Sequence, residues 1–168
     1  MPILHHIENE KDNNGKRKVK ALIVTPTREL AIQIAENFTS YSKYNSVKNT
    51  VIYGGVKQGS QTTALANGVD VLIATPGRLL DLIGQGYITL RDIKYFVLDE
   101  ADRMLDMGFI HDIKRLMKMM PQKRQTLLFS ATFSNDIKKL AAGLLKDPVL
   151  VEVARENMAN DINSFLIF

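Results

Sequence analysis

The chain has no cysteine, which excludes disulfides and thiolate zinc sites and fits a reducing, cytoplasmic setting. It has no uninterrupted apolar run near 18 residues, so no stretch reads as a membrane-spanning helix. Its first residues lack the layout of a secretion signal. The three histidines, His5, His6 and His111, show no metal-ligand spacing, and neighbours such as His5 and His6 face apart on a helix or strand. What is present is ordinary for a globular domain: 168 residues, 45% hydrophobic and 24% charged, enough for one core of useful size. A net charge of +4 permits a polyanionic partner without requiring one.

Residues 2–7 read as the last turns of a helix. Residues 8–20 read as a solvated basic loop carrying Lys11, Lys16, Arg17, Lys18 and Lys20. Beyond it a rhythm sets in. Residues 21–24, 51–53, 71–74, 95–98, 126–129 and 149–153 read as strands; 26–41, 59–66, a stretch through Leu79, Leu80 and Ile83, 110–120 and 137–145 read as helices. Because these strands are apolar throughout rather than alternating, they predict a parallel sheet covered on both faces, an α/β fold. The methionines Met104, Met107, Met117, Met119 and Met120 read as packing.

Two junctions repeat. Leu22-Ile23-Val24-Thr25-Pro26-Thr27-Arg28 and Leu72-Ile73-Ala74-Thr75-Pro76-Gly77-Arg78 each run from an apolar strand through Thr-Pro-x-Arg into a helix. Thr suits the N-cap and Pro the first helical position. The next N–H groups are left unsatisfied, and with an Arg beside them they suit an anion such as phosphate. Thr-Pro also simply starts helices well, but two copies with Arg at one offset favour the anion. Gly54-Gly55, after another strand, would let a phosphodiester backbone approach closely. In a parallel sheet these segments all follow strand C-termini and share one edge, where ligands bind in open α/β folds. Several phosphate cradles in a line imply an extended ligand such as a nucleic-acid strand.

To the same edge runs Tyr95-Phe96-Val97-Leu98, followed at once by Asp99-Glu100-Ala101-Asp102. Two adjacent carboxylates at a strand end suit Mg²⁺, a hard cation that keeps several waters; the plainer alternative is an acidic turn after a core strand. A further strand ends in Ser130-Ala131-Thr132, whose hydroxyls could bond Asp102 across the edge.

Asp99-Glu100-Ala101-Asp102 resembles the signature of the DEAD-box RNA helicases, and the chain resembles that family from end to end. Pro26-Thr27-Arg28-Glu29-Leu30-Ala31 resembles the family's motif Ia, Gly54-Gly55 its GG motif, Thr75-Pro76-Gly77-Arg78 its motif Ib and Ser130-Ala131-Thr132 its motif III. Residues 103–109 and 151–154 look most like the bacterial RhlE-type subgroup. The resemblance implies a RecA-like three-layer domain from an ATP-dependent RNA helicase that unwinds short duplexes or remodels RNA–protein complexes. It implies that Asp99 holds Mg²⁺ through water and that Glu100 orients and deprotonates the water attacking the ATP γ-phosphate. Asp102, Ser130 and Thr132 would couple nucleotide state to the closing of two domains. Pro26, Thr27, Arg28, Gly54, Gly55, Thr75, Pro76, Gly77 and Arg78 would grip the RNA sugar-phosphate backbone without reading bases.

The departures from the family pattern matter too. The family places a glutamine-containing adenine-reading motif and a Gly-x-x-x-x-Gly-Lys-Thr phosphate loop before motif Ia, and neither is in this sequence. Gly15-Lys16 fails the pattern because position 10 is Glu and position 17 is Arg. The expectation is a fragment that starts just past the family's first strand and phosphate loop. Its residues 155–168 would begin a linker to a second RecA-like domain, with Phe165-Leu166-Ile167-Phe168 lacking an obvious core. Such a chain alone is expected to be a weak or inactive ATPase. The alternative is a non-catalytic RNA-binding or protein-interaction module, and DNA in place of RNA stays open where only phosphate and sugar are touched.

Overall fold

Strands that are apolar on both sides must be covered on both sides, and the chain does so with helices. The computed structural model describes residues 2–9, 15–153 and 164–167. In chain order the elements are α1 Pro2–Asn9, β1 Ala21–Val24, α2 Arg28–Tyr41, β2 Asn49–Ile52, α3 Gly59–Ala66, β3 Val71–Ala74 and α4 Pro76–Gly84. There follow β4 Tyr95–Leu98, α5 Ala101–Asp106, α6 Ile110–Lys118, β5 Gln125–Ser130, α7 Asn135–Leu144, β6 Leu150–Val153 and β7 Ser164–Ile167. The sheet order is β2-β3-β1-β4-β5-β7-β6. Strands β2, β3, β1, β4 and β5 run parallel, while β7 is antiparallel to both β5 and β6.

Alternate residues of each central strand feed two separate cores. Leu22, Val24, Leu72, Ala74, Phe96, Leu98 and Leu128 pack with α3 to α7 through Leu65, Leu79, Met104, Ile113 and Ile137. Ala21, Ile23, Val71, Ile73 and Val97 pack on the other face with Leu4 and Ile7 of α1 and Ala31, Ala35 and Phe38 of α2. This is the three-layer α/β arrangement that the apolar strands predict.

At the N-terminal edge of the sheet one buried acid ties three strands together. The Asp70 carbonyl accepts from the N–H groups of Lys20 (2.9 Å) and Ala21 (3.1 Å). Its carboxylate accepts from the Lys48 N–H at 2.8 Å and from the Arg17 guanidinium. Arg17 of the basic loop thus has a structural partner, and Lys18 pairs with Asp92 at 3.4 Å; Lys11 lies outside the described residues.

Several expectations need correction. A short helix, α5, stands between β4 and α6, where the sequence reading names no element; Gly108, at φ +81°, ends it in the left-handed conformation that suits a residue just past a helix. Residues 164–167 of the expected linker form a strand: as β7 they pair Leu128↔Ile167 and Ser130↔Phe165 with β5, taking up backbone groups that an edge would otherwise leave open. The rest of the expected linker, residues 155–163 and 168, lies outside the described residues. Met104 and Met120 are core, but Met107 and Met119 are exposed.

Candidate active site and nucleic-acid interface

Four of the parallel strands, β1 to β4, end level, and β5 runs two residues further to Ser130. The register pairs Ile52 with Ala74, Ala74 with Val24, Val24 with Leu98 and Leu98 with Leu128. The ladder then continues one residue further, with Thr75 N–H to the Ile52 carbonyl at 2.9 Å, Thr25 N–H to Ala74 at 3.1 Å and Asp99 N–H to Val24 at 3.0 Å. Tyr53, Thr75, Thr25, Asp99 and Phe129 therefore form one row, and beyond it lie Gly54, Pro76, Pro26, Glu100 and Ser130. The sequence motifs meet on a single edge, as parallel topology requires.

At the β4 end, Asp99, Glu100, Asp102, Arg103, Phe129, Ser130 and Ala131 line a cavity of about 400 Å³. Glu100 sits in left-handed backbone at φ 49°, ψ 51°, a conformation that costs a non-glycine residue roughly 1–2 kcal/mol. The turn lets its N–H donate to Asp99 Oδ1 at 2.9 Å, while Arg103 Nη1 holds Glu100 Oε2 at 3.2 Å. Strain of this kind persists where the surroundings over-determine it, as functional sites do. Burial raises the Asp99 carboxyl above the ordinary carboxylate range, with the charges of Glu100 and Asp102 adding to it and the Glu100 N–H opposing.

The donor chemistry here fits Mg²⁺ held through water. Among the described residues no cluster of three or more metal-ligating side chains forms a cage. A hard cation that keeps its waters needs only one or two carboxylates, and a cation would offset the burial and the neighbouring charges that raise Asp99. Asp102 and Ser130 share the cavity, but among the described residues no hydrogen bond joins them. The Ser130 hydroxyl instead accepts from the Thr132 N–H at 3.4 Å, and Thr132 is exposed.

The two Thr-Pro-x-Arg junctions are not equivalent. Before α4, Thr75 is the N-cap and Pro76 the first helical residue, as expected. Before α2 the cap is Thr27, whose hydroxyl accepts from the Leu30 N–H at 3.3 Å. Thr25 is still in line with the strand there, fully buried, and its hydroxyl has no partner among the described residues. Arg28 thus opens its helix, whereas Arg78 stands two residues after Pro76.

Their side chains differ accordingly. Arg28 is exposed, its guanidinium 4.9 Å above the Tyr53 ring. The Arg78 side chain, only 14% exposed, lies 3.8 Å from Asp81 through Nε and donates through Nη2 to the Val56 carbonyl at 2.9 Å. It does not present a free fork beside the helix start. Gly54, Gly55 and Gly77 are exposed, with nothing within 4 Å of where a Cβ would stand, and Gly55 takes φ +80°. An extended anion could approach this bare backbone. Sequence reading missed Tyr53 as the platform for Arg28; its place directly before Gly-Gly was the available signal.

The sequence matches the DEAD/DEAH box helicase family over residues 1–140. It is 45% identical over 138 residues to a protein of Chaetomium globosum named ATP-dependent RNA helicase DBP2, covering 82% of this chain and 25% of that protein. It is 46% identical over 137 residues to DEAD-box ATP-dependent RNA helicase 20 of Oryza sativa subsp. japonica, covering 82% and 28%. Among solved structures it resembles a DEAD box protein from the hyperthermophile Methanococcus jannaschii. That likeness has a TM-score of 0.76 and 42% identity, over 84% of this chain and 38% of the other. The chain spans about a quarter of the length of these curated relatives.

The raised Asp99 carboxyl has a consequence for stability. Its ionised form is disfavoured by folding, so the penalty is absent below the unfolded value near 3.9. The penalty grows as pH rises from there to the higher folded value, and is full above it. Asp99→Asn keeps the acceptor for the Glu100 N–H and should raise Tm at pH 7. The gain over the parent chain should vanish at about pH 3. Thermal unfolding at the two pH values checks this, and a lower Tm at pH 7 would contradict it.

Proposed function

This chain belongs to the DEAD/DEAH box helicase family, and from that premise we propose that it contributes part of the ATP and RNA machinery of an ATP-dependent RNA helicase. The observation that carries the reading is the level row of strand ends, which sets an acidic corner and bare, cation-flanked backbone side by side on one edge.

At the corner, Asp99 would hold Mg²⁺ through water, and Glu100, aimed by its left-handed turn, would orient the attacking water and take its proton. Mg²⁺, when bound, supplies charge neutralisation on the phosphates. Giving one acid to the metal and its neighbour to water separates two jobs that adjacent carboxylates could otherwise contest. Asp102 and Ser130, which line the same cavity, would link the nucleotide to the closing of a second RecA-like domain together with Thr132.

Along the rest of the row, Arg28 offers a cation on an aromatic base. Gly54, Gly55 and Gly77 offer backbone without side-chain bulk, and Thr27, Thr75, Pro26 and Pro76 set the two helix starts. Arg78 contributes by holding the 53–56 turn. Contacts to phosphate and sugar give binding that ignores sequence and weakens with salt. Unwinding of short RNA duplexes or remodelling of RNA–protein complexes fits such a grip. The sequence carries no Gly-x-x-x-x-Gly-Lys-Thr loop to cradle the β- and γ-phosphates, so the chain alone should turn over ATP weakly.

Two measurements test the two halves of the site. In the full-length parent, Glu100→Gln should cut RNA-stimulated ATP turnover by about 10²–10⁴-fold with nucleotide affinity retained; normal turnover would remove Glu100 from its role. For the RNA half, Arg28→Ala should weaken single-strand binding across sequences and flatten the log–log salt dependence by roughly 0.7. An unchanged slope would mean that Arg28 touches no phosphate.

A further inference from the structure

We infer that Gln61 is a positioning residue for the RNA grip, holding the Tyr53–Val56 turn in the shape that presents Gly54 and Gly55. The inference rests on the reading of that turn as an RNA contact.

The turn needs holding. It follows β2, which lies at the end of the sheet order and, among the described residues, pairs only with β3 and has no strand on its outer side. Two adjacent glycines also lose more conformational freedom on ordering than any other pair. Gln61, in the first turn of α3, is 6% exposed. Its Nε2 donates to the Tyr53 carbonyl at 3.0 Å. Its Oε1 faces Arg78 Nη1 at 3.5 Å, a marginal bond. The other nitrogen of that guanidinium donates to the Val56 carbonyl at 2.9 Å.

The carbonyls on either side of Gly54-Gly55 are therefore both pinned, and the two pins meet at the contact between Gln61 and Arg78. Tyr53 extends the unit, since its ring carries Arg28. The position asks for a side chain with a donor and an acceptor on one short stem. Gln has both; Leu has neither, and Glu lacks the donor. A buried Leu there would leave the Tyr53 carbonyl unpaired and free the turn. Gln61 touches no phosphate in this account. Its loss raises the ordering cost of binding without changing how many counterions are released.

That separation gives the test. A labelled single-stranded RNA oligonucleotide is titrated into the 168-residue chain over a range of salt for the parent, Gln61→Leu, Arg78→Ala and Arg28→Ala. Backbone amide exchange at Gly54 and Gly55 is followed alongside. Gln61→Leu should weaken binding by about 3- to 10-fold, the scale of one hydrogen bond. Its salt slope should match the parent's, and exchange at Gly54 and Gly55 should quicken while the central strands stay protected. Arg78→Ala should behave the same way, and the two together should cost less than the product of their separate effects.

The inference fails if Gln61→Leu binds like the parent, or if its salt slope flattens by roughly 0.7 as for a phosphate ligand. It also fails if affinity falls only in step with the unfolded fraction. If Arg28→Ala leaves RNA binding untouched, the RNA reading itself has failed, and that result is distinct from a failure at Gln61 alone.

Discussion

Everything proposed for this chain depends on five parallel strands held in one level register, with four of them ending at the same line. The pairing Ile52–Ala74–Val24–Leu98–Leu128 is a single line across the sheet, held at the other end by the backbone and carboxylate of Asp70. Parallel register is unforgiving, because a slip of one residue in any strand exchanges the side chains it sends to the two close-packed cores. With both faces buried, each strand is locked twice. The next residue of every strand is then delivered to one edge, so residues as far apart in sequence as Thr25 and Phe129 share a row. The site is thus a by-product of the core, and no loop has to search for its partners.

At the β4 end, stability and function pull apart. Glu100 occupies a backbone region that suits glycine, and Asp99 carries a carboxylate whose ionised form burial disfavours. Neither helps the chain fold. Both make sense as preparation for a cation and a positioned water, which would turn crowded negative charge from a cost into a binding interaction. The Arg103 contact to Glu100 at 3.2 Å is partly exposed and offsets little of this on its own. The strain is carried instead by the packing of Ala101 and Met104, the two fully buried residues of α5.

Much of this was legible in the sequence, for identifiable reasons. Ala21–Val24 and Val71–Ala74 are short apolar runs, and both emerge as strands with the predicted bounds. Gly59–Ala66 does so as a helix. The acidic corner and the Thr-Pro and Gly-Gly segments could be placed on one edge because parallel topology leaves no other choice. What stayed hidden depends on contacts between distant residues. Ala101–Asp106 has too few apolar positions to show a helical period, and forms because Met104 is buried. Thr27 rather than Thr25 caps α2 because Thr25 is still in the sheet ladder, which the repeat with Thr75 concealed. The two arginines share a motif offset but not a role: one stacks outward on Tyr53, and the other turns in to the Val56 carbonyl. No spacing rule could separate them.

The central claim is that the strand-end row is the surface that takes nucleic acid. Isotope-labelled chain titrated with a single-stranded RNA oligonucleotide, read by backbone amide shifts, tests it most directly. The account predicts the largest shifts at Arg28, Gly54, Gly55 and Gly77, with little change at the opposite edge. Shifts concentrated instead around the basic cavity lined by Lys18, Arg91 and Lys123, with the row unmoved, would contradict it.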